Sequence, residues 1–510
     1  MKRIALAIAL SLAVAGNALA HDPPAPPATR VLGQLDFPTS TKSPQAQAAF
    51  TEGMLYLHIF EYPSAAKAFQ RAQQLDPGFV MAYWGEAMTY THPVWNQQDV
   101  AAGRAALAKL GANQDARARK AQTPLELDFL HSVETLYGEG DKPSRDLALL
   151  AEMEDMARRY PQDDEMQLFL ALALLGADEG KRNLPRFLRA AEISKAVFAH
   201  NPKHPGAAHY WIHGMDDPQH AAGALEAANA LSRIAPDAGH SQHMVSHIYI
   251  ALGRWQDVVD ANLAAERVVG ADNTAQGLPQ YRCGHYSEWL EYAWLQQGRE
   301  EQAWQLLGDC ERTGKAAVAW MRANPGKPFG RAKTADDLQQ NFAGSLGYMR
   351  AMALVDSPAH RKQLLGVKVG EDPGVELLLA RGLAQANAGK SSAARATLAD
   401  LRKFAAKPAS SDDHGYPPIM ADMLEGAILA KEGKTEPALA KLRAAAQAYE
   451  ALPFDYGPPA TAKPPRELLG DVLLAAGRKD EARAEFEKAL ASAPERRASV
   501  MGRTQATNAP

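Results

Sequence analysis

The chain has 510 residues, of which 46% are hydrophobic and 22% charged. These are average values for globular proteins, and they exclude a disordered or fibrous chain. The 55 basic and 59 acidic residues give a net charge of −4, so nothing in the charge balance indicates a nucleic-acid binder. Alanine leads the hydrophobic residues and aromatic residues reach only 7%, which is typical of a mostly helical protein.

The N-terminal segment has the features of a secretory signal peptide. Lys2 and Arg3 precede a continuous apolar run, and Ala18-Leu19-Ala20 offers a small-x-small cleavage site. We therefore expect residues 1–20 to be removed and the mature chain to be periplasmic or secreted. A Pro-rich leader follows at residues 21–44. No later apolar run approaches the ~18 residues that a membrane span needs.

A repeated spacing further along the chain predicts helical hairpins. The two stretches that share it are Gly53, Tyr62, Ala65, Phe69, Ala72 and Pro77 in the first, and Gly470, Asp480, Ala482, Phe486, Ala489 and Pro494 in the second. This is the pattern of the tetratricopeptide (TPR) repeat, a helix–turn–helix unit of ~34 residues. Its small residues let two antiparallel helices approach closely, and its aromatic residue fills the gap between repeats.

Further turn glycines extend the pattern through most of the chain. They are Gly253, Gly298, Gly389, Gly433 and Gly477. We predict an all-α fold, an α-solenoid of TPR helix–turn–helix repeats over residues 45–496. Divergent or longer helical insertions are expected at residues 98–142 and 324–368. Residues 497–510 are expected to form a disordered tail.

The histidines are concentrated in one part of the chain. Eight of the fifteen fall between positions 200 and 247. His209 and His213 recur as His243 and His247, one repeat of 34 residues later. Spacing i, i+4 places each pair on one face of a helix, and the repeat period places the two helices side by side. His240 lies on the same face as the second pair.

Alignment on the turn glycines adds a third helix. When Gly253 and Gly298 are placed at position 15 of their repeats, His240, His243 and His247 occupy positions 2, 5 and 9. The same positions of the next repeat hold His285, Glu288 and Tyr292. Imidazole groups in this arrangement suit a divalent zinc, copper, nickel or iron ion. The alternative is a set of polar side chains that bond to one another and to the backbone, or that bind a peptide carboxylate.

Two acidic residues beside the histidines have two possible roles. Asp216 and Asp217 precede Pro218 and are interpreted first as helix N-caps. The alternative is a carboxylate that orients a metal-binding histidine through a hydrogen bond. Cys283 and Cys310 flank one predicted hairpin, which favours a disulfide. A role for Cys283 as a metal ligand stays open.

The histidine region resembles a family of exported bacterial TPR-repeat proteins. The matching segments are Ala207-Ala208-His209-Tyr210-Trp211-Ile212-His213, Gly239-His240-Ser241-Gln242-His243-Met244-Val245-Ser246-His247-Ile248-Tyr249 and His285-Tyr286-Ser287-Glu288-Trp289-Leu290. The resemblance implies an α-solenoid with the residues at positions 2, 5 and 9 facing a concave groove, here within residues 204–292. It implies no settled reaction. The sequence departs from the family pattern at Glu288, which favours a mixed histidine and carboxylate site.

Three functions are compatible with these features. The first is a periplasmic TPR protein that binds a protein, peptide or small ligand in its groove, with a metal on His209, His213, His240, His243, His247, His285 and Glu288. The second is a metal-dependent enzyme, hydrolase-like, with Glu288 as ligand or general base on metal-bound water and Tyr249 or Tyr292 as acid. The third is a metal-free scaffold with a pH-sensitive groove. The chain has no H-E-x-x-H, G-x-S-x-G or Walker A motif.

Overall fold

The computed structural model describes residues 30–177, 182–368, 374–406 and 415–508. Within these ranges the chain forms the α-helices α1 (Pro44–His58), α2 (Tyr62–Leu75), α3 (Val80–Met88), α4 (Val100–Leu110), α5 (Gln114–Ala118), α6 (Pro124–Leu136), α7 (Lys142–Arg159), α8 (Asp164–Gly176), α9 (Leu184–His200), α10 (Pro205–Gly214), α11 (Leu225–Ile234), α12 (Gly239–Ala251), α13 (Trp255–Ala275), α14 (His285–Gln296), α15 (Glu300–Ala323), α16 (Ala335–Asp356), α17 (Arg361–Gly366), α18 (Val375–Asn387), α19 (Ser391–Ala405), α20 (Tyr416–Lys431), α21 (Thr435–Glu450), α22 (Pro465–Ala475), α23 (Lys479–Ser492) and α24 (Arg497–Asn508). Two short strands, Thr91–His92 and Gln97–Gln98, pair in antiparallel fashion around a 3-10 turn at Pro93–Trp95. None of the described helices is long and apolar enough to cross a membrane.

Successive helices pack as antiparallel hairpins, which confirms the predicted all-α solenoid. The turn glycines adopt the left-handed conformation that this connection requires, with φ of 67° at Gly253 and 72° at Gly298. Phe69 packs directly on Gly53 and Gly85, where a Cβ atom would lie only 2.6 Å and 2.4 Å from its ring. The small and aromatic residues of the pattern therefore have the predicted role in helix packing.

The two ends of the solenoid return to its middle. The backbone N–H of His240 on α12 donates to Glu61, 3.2 Å away, beside the N-terminal hairpin. The indole N–H of Trp255 on α13 donates to the backbone oxygen of Glu495, 3.1 Å away, near the C-terminus. These contacts join residues that are 179 and 240 positions apart. Residues from both ends of the solenoid therefore contact the central helices α12 and α13.

The second part of the Pro-rich leader packs against the solenoid. The signal peptide and the first part of the leader lie outside the described residues. Leu32 and Phe37, in the second part of the leader, are buried, and Arg30 forms a salt bridge with Asp272 on α13. The solenoid begins at Pro44, one residue before the expected boundary.

The segment expected to be a disordered tail forms α24 instead. Its buried residues, Ser499, Gly502 and Ala506, lie on one stripe of the helix. Phe486 of α23 fills the space above Gly502, at which a Cβ atom would lie 2.3 Å from the ring. A helix whose contact face consists of small residues has little apolar periodicity, and for this reason the sequence did not indicate it.

We expect Gly502→Ala to destabilise the protein. Alanine normally stabilises a helix interior by about 0.5–1 kcal/mol relative to glycine, but here its methyl group overlaps Phe486 and forces α24 away, at a cost of about 1–3 kcal/mol. Gly308→Ala on α15 is the matched control, because a Cβ there has no heavy atom within 4 Å. Urea denaturation should show opposite signs for the two variants, and a stabilised Gly502→Ala would contradict this packing.

Candidate metal centre

Three helices, α10, α12 and α14, bring six histidines together, four of them buried, His240 half-buried and His285 exposed. His204 caps α10 by accepting the N–H of Ala207 on its Nδ1, and Pro205 occupies the first helical turn. Gly284, with φ of 121°, allows the sharp entry into α14 at His285. The histidines in contact are His209 and His213 of α10, His240, His243 and His247 of α12, and His285 of α14. Centroids of neighbouring rings are separated by 4.5 to 6.3 Å.

The six histidines divide into two sets of three. When one ring nitrogen is taken from each histidine, the three nitrogens of a set lie within 4.8 Å of one another. The first trio is His209, His213 and His240, and the second trio is His243, His247 and His285. The carboxylate of Asp216 joins the two trios. Its Oδ2 is 3.3 Å from Nδ1 of His247 and 3.5 Å from Nδ1 of His213. The structure therefore brings together all six histidines that the sequence singled out.

Hydrogen bonds to Nδ1 fix the tautomers of three rings. His209 donates to the backbone oxygen of His58 over 2.7 Å, and His243 donates to Oδ1 of Asn262 over 2.7 Å. The amide orientation of Asn262 is set by its Nδ2, which donates to Val258 O. His247 donates in the same way to Asp216. Since each Nδ1 faces an oxygen acceptor, each carries the proton, and Nε2 keeps its lone pair.

These free nitrogens are buried. Nε2 of His209, His240 and His243 has no hydrogen-bond partner among the described residues. Burial, together with the neighbouring imidazoles, lowers the pKa of these three rings well below the usual 6.5. At neutral pH they are uncharged, which is the form that binds a metal ion.

Asp216 stays ionised between the trios. Burial alone raises the pKa of this carboxyl, but hydrogen bonds from His213 and His247 and the charge of Arg182 outweigh it and hold the pKa well below its usual range. Nη2 of Arg182 lies 3.2 Å from Oδ1 of Asp216. Asp216 therefore presents one negatively charged oxygen to both trios, while its other oxygen is paired with Arg182.

Aromatic residues from distant parts of the chain enclose the site. Phe60 packs against all three rings of the first trio, and Trp95 packs against His240. Trp289 packs against the second trio. Tyr456 contacts one ring of each trio, with a centroid 4.9 Å from that of His247. These apolar walls lower the local dielectric constant and strengthen electrostatic interactions at the site.

The other candidate residues lie elsewhere. Glu288 packs beside Ser345, where burial raises its pKa, and it belongs to neither trio. The hydroxyl of Tyr249 donates to Asn229 over 2.9 Å. The hydroxyl of Tyr292 accepts from Arg496 over 3.4 Å. The carboxylate that contacts the imidazole rings of the two trios is thus Asp216 and not Glu288.

The two aspartates before Pro218 have separate roles. Oδ1 of Asp217 accepts the backbone N–H groups of Gln219 and His220, as expected for a cap, although a turn follows it instead of an α-helix. Asp216 contacts the histidines, as in the second interpretation of the sequence. Cys283 and Cys310 form a disulfide, which removes Cys283 from the candidate ligands and ties the start of α14 to α15.

Sequence reasoning missed a neighbouring cluster of His58, Glu165 and His204. Nε2 of His58 and of His204 lie 2.7 Å and 3.0 Å from the two oxygens of Glu165. Nδ1 of His58 contacts the hydroxyl of Tyr210, 2.9 Å away. Every nitrogen of this cluster has a hydrogen-bond partner, so we assign it a structural role. It positions the His58 carbonyl that orients His209.

Comparisons with known proteins add a general likeness only. The chain matches no family model and no curated protein. It resembles the crystal structure of yeast Tom70 with 12% identity and a TM-score of 0.35, over 91% of this chain and 95% of the other. It resembles the Cut9–Hcn1 hetero-tetramer of the APC/C with 12% identity and a TM-score of 0.34, over 92% and 78% of the chains. For the human IFIT1 dimer with m7Gppp-AAAA the identity is 14% and the TM-score 0.31, over 89% and 91%. Scores this low carry no argument about function.

Proposed function

We propose that this protein is an exported TPR-repeat binding protein whose interior groove holds a divalent transition metal on the histidines of the two trios. Imidazole ligands suit zinc, copper, nickel or iron. The metal either fixes the curvature of the groove or contacts the bound protein, peptide or small molecule directly. A periplasmic or secreted location is supported by the disulfide, because such bonds persist in oxidising compartments.

One observation carries this proposal. Three imidazoles of the centre donate Nδ1–H to fixed oxygen acceptors, which are a carbonyl, an amide and a carboxylate. Histidines that bind metals are oriented in this way. Side chains that only line a polar groove have no need for buried nitrogens without partners, because each such atom costs about 1–3 kcal/mol. A metal ion compensates for this cost.

The other two functions have less support. The acid and base expected for a hydrolase, Tyr249, Tyr292 and Glu288, are bonded or packed away from the trios. A pH-sensitive groove requires histidines that gain charge between pH 5 and 8. Burial lowers the pKa of His209 and His243 well below the usual 6.5, which opposes a gain of charge in that range.

We expect the purified protein, expressed with its own export signal and without a His tag, to contain at least one equivalent of a transition metal. His243→Ala should remove most of the metal and lower the melting temperature, because it deletes a ligand at the centre of the cluster. His131→Ala is the control, since His131 is exposed and outside the cluster. Elemental analysis and thermal unfolding make the measurement. Less than about a tenth of an equivalent, together with wild-type stability of His243→Ala, would refute the proposal.

A further inference from the structure

We infer that the centre consists of two metal sites, one in each trio, with Asp216 shared between them. This inference rests on the proposed metal-binding function and extends it to the number of ions and the kind of ligand they attract. Within each trio the nitrogens lie within 4.8 Å of one another. Ligands of one ion lie at most about 4.2 Å apart, twice a metal–nitrogen bond of about 2.1 Å, so small side-chain adjustments suffice to bind an ion.

The six histidines do not form one larger set. Among the described residues, the set that connects the trios contains only His213 and His247, with Asp216 between them. The rings of His240 and His243, which belong to different trios, are 6.3 Å apart between centroids. A single ion could therefore use one trio and leave the buried nitrogens of the other without a partner.

The repeat itself generates the site twice. In the first trio, His209 and His213 take positions 5 and 9 of one repeat, and His240 takes position 2 of the next. In the second trio, His243 and His247 take positions 5 and 9, and His285 takes position 2 of the following repeat. The same three positions, moved by one repeat, therefore supply both sets of ligands.

The series ends after the second site. Positions 5 and 9 of the next repeat hold Glu288 and Tyr292, and their side chains face Ser345 and Arg496. No third site can form from these residues. Two sites is therefore the number that follows from the sequence register and from the geometry together.

The charges indicate which ligand the loaded centre takes. Two divalent ions bring four positive charges, and among the described residues the carboxylates beside the histidines are only Asp216 and Glu61, which accepts the backbone N–H of His240. Aromatic rings pack against both trios, which weakens solvent screening of this excess at the buried histidines. Three imidazoles also leave each ion an open coordination position. A carboxylate or phosphate group of the bound molecule is the chemistry that fills these positions and offsets the charge.

Metal stoichiometry tests the inference. Full-length untagged protein is stripped with a chelator, dialysed and titrated with Zn²⁺ by equilibrium dialysis. We expect two equivalents for the wild type, one each for His240→Gln and His285→Gln, and none for the double variant. These two positions suit the test because His240 is half-buried and His285 exposed, whereas the other four histidines are buried. Co²⁺ absorption spectra of the two single variants should differ, because different sites are filled.

The outcomes separate this inference from the proposed function. A wild type that saturates at one equivalent overturns the two-site inference and leaves the metal-binding function standing. A wild type that binds no Zn²⁺ overturns both. A single variant that keeps two ions or loses both contradicts the assignment of ligands. The wild-type stoichiometry decides the question even where a variant fails to fold. If the metal ions of the centre bind anions, acetate or inorganic phosphate should shift the Co²⁺ absorption spectrum, whereas a neutral amide should not.

Discussion

Arg496→Met is expected to lower the free energy of unfolding by about 3–5 kcal/mol, the usual cost of removing one partner from a buried ion pair. Arg496 is fully buried. Its guanidinium donates to both oxygens of Glu467, over 2.8 and 3.1 Å, and to both oxygens of Asp356, over 3.0 and 3.1 Å. Methionine fills similar space without the charge, so two carboxylates stay in the interior with less compensation. Lys463, 2.9 Å from Glu467, offsets part of the loss.

The effect of Arg496→Met should depend on pH. Burial raises the pKa of Glu467, but the charges of Arg496 and Lys463 outweigh it, and the folded-state pKa lies below the usual 4.5. A lowered carboxyl pKa stabilises the folded state above pH 4.5, and this contribution is lost as the pH falls further. Without Arg496 the carboxyl takes up a proton at higher pH. The difference between variant and wild type should therefore be large at pH 7 and smaller near pH 4.

Urea denaturation at the two pH values measures this difference. Arg312→Met is the control, because Arg312 pairs with Asp309 on the surface, and little change is expected there. An Arg496→Met variant no less stable than Arg312→Met would show that the buried network does not hold the C-terminal hairpin against α14 and α16. A difference that grows towards acid pH would contradict the pKa argument.

Structural features that follow from a repeated residue spacing could be predicted from the sequence. The i, i+4 spacing placed each pair of His209 and His213, and of His243 and His247, on one face of a helix. The 34-residue offset placed the two helices side by side, because the repeat length determines which helices are neighbours. The turn glycines likewise fixed the register of His285. Contacts within a solenoid are mostly between neighbouring repeats, and such local contacts can be inferred from spacing.

Features that depend on distant contacts could not be predicted. Glu61 and Tyr456 contact the histidines only because both ends of the solenoid fold back. No repeated spacing in the sequence indicates this arrangement. Asp216 lies just before a proline, and this sequence pattern favours a helix N-cap. Its contacts with His213 and His247 depend on its position between two helices, which the sequence does not show. Glu288 has the right register, but α16 packs against that part of α14 and provides Ser345 as its neighbour.

Asp216→Asn should weaken metal binding at both sites by about 10- to 100-fold, as loss of an orienting carboxylate typically does. The same oxygen, Oδ2, faces His213 and His247, so one substitution acts on a ligand of each trio. Competition titration with a Zn²⁺ chelator measures the two dissociation constants. We expect both to rise, whereas His240→Gln removes one site and leaves the other near its wild-type affinity.

Asp217→Asn is the matched control. Asp217 is the adjacent residue and pairs with the same Arg182 over 3.2 Å. The histidine that it contacts, over 2.8 Å, is His220, which is outside both trios. The Asp217→Asn substitution removes the same charge at the position next to Asp216. Equal losses of affinity in the two variants would therefore indicate a general electrostatic effect and contradict the orienting role of Asp216.

Asparagine at position 216 has no orientation that suits all its neighbours. If its amide oxygen faces the two imidazoles, its NH₂ group faces the guanidinium of Arg182, so that donor meets donor. If the amide is turned, the NH₂ group faces Nδ1 of His213 and His247, and at His247 a donor meets the Nδ1–H that now bonds to Asp216. Either way the charge that offsets the metal ions is lost. A rise in only one dissociation constant would mean that Asp216 orients a single histidine, and that the two sites are independent.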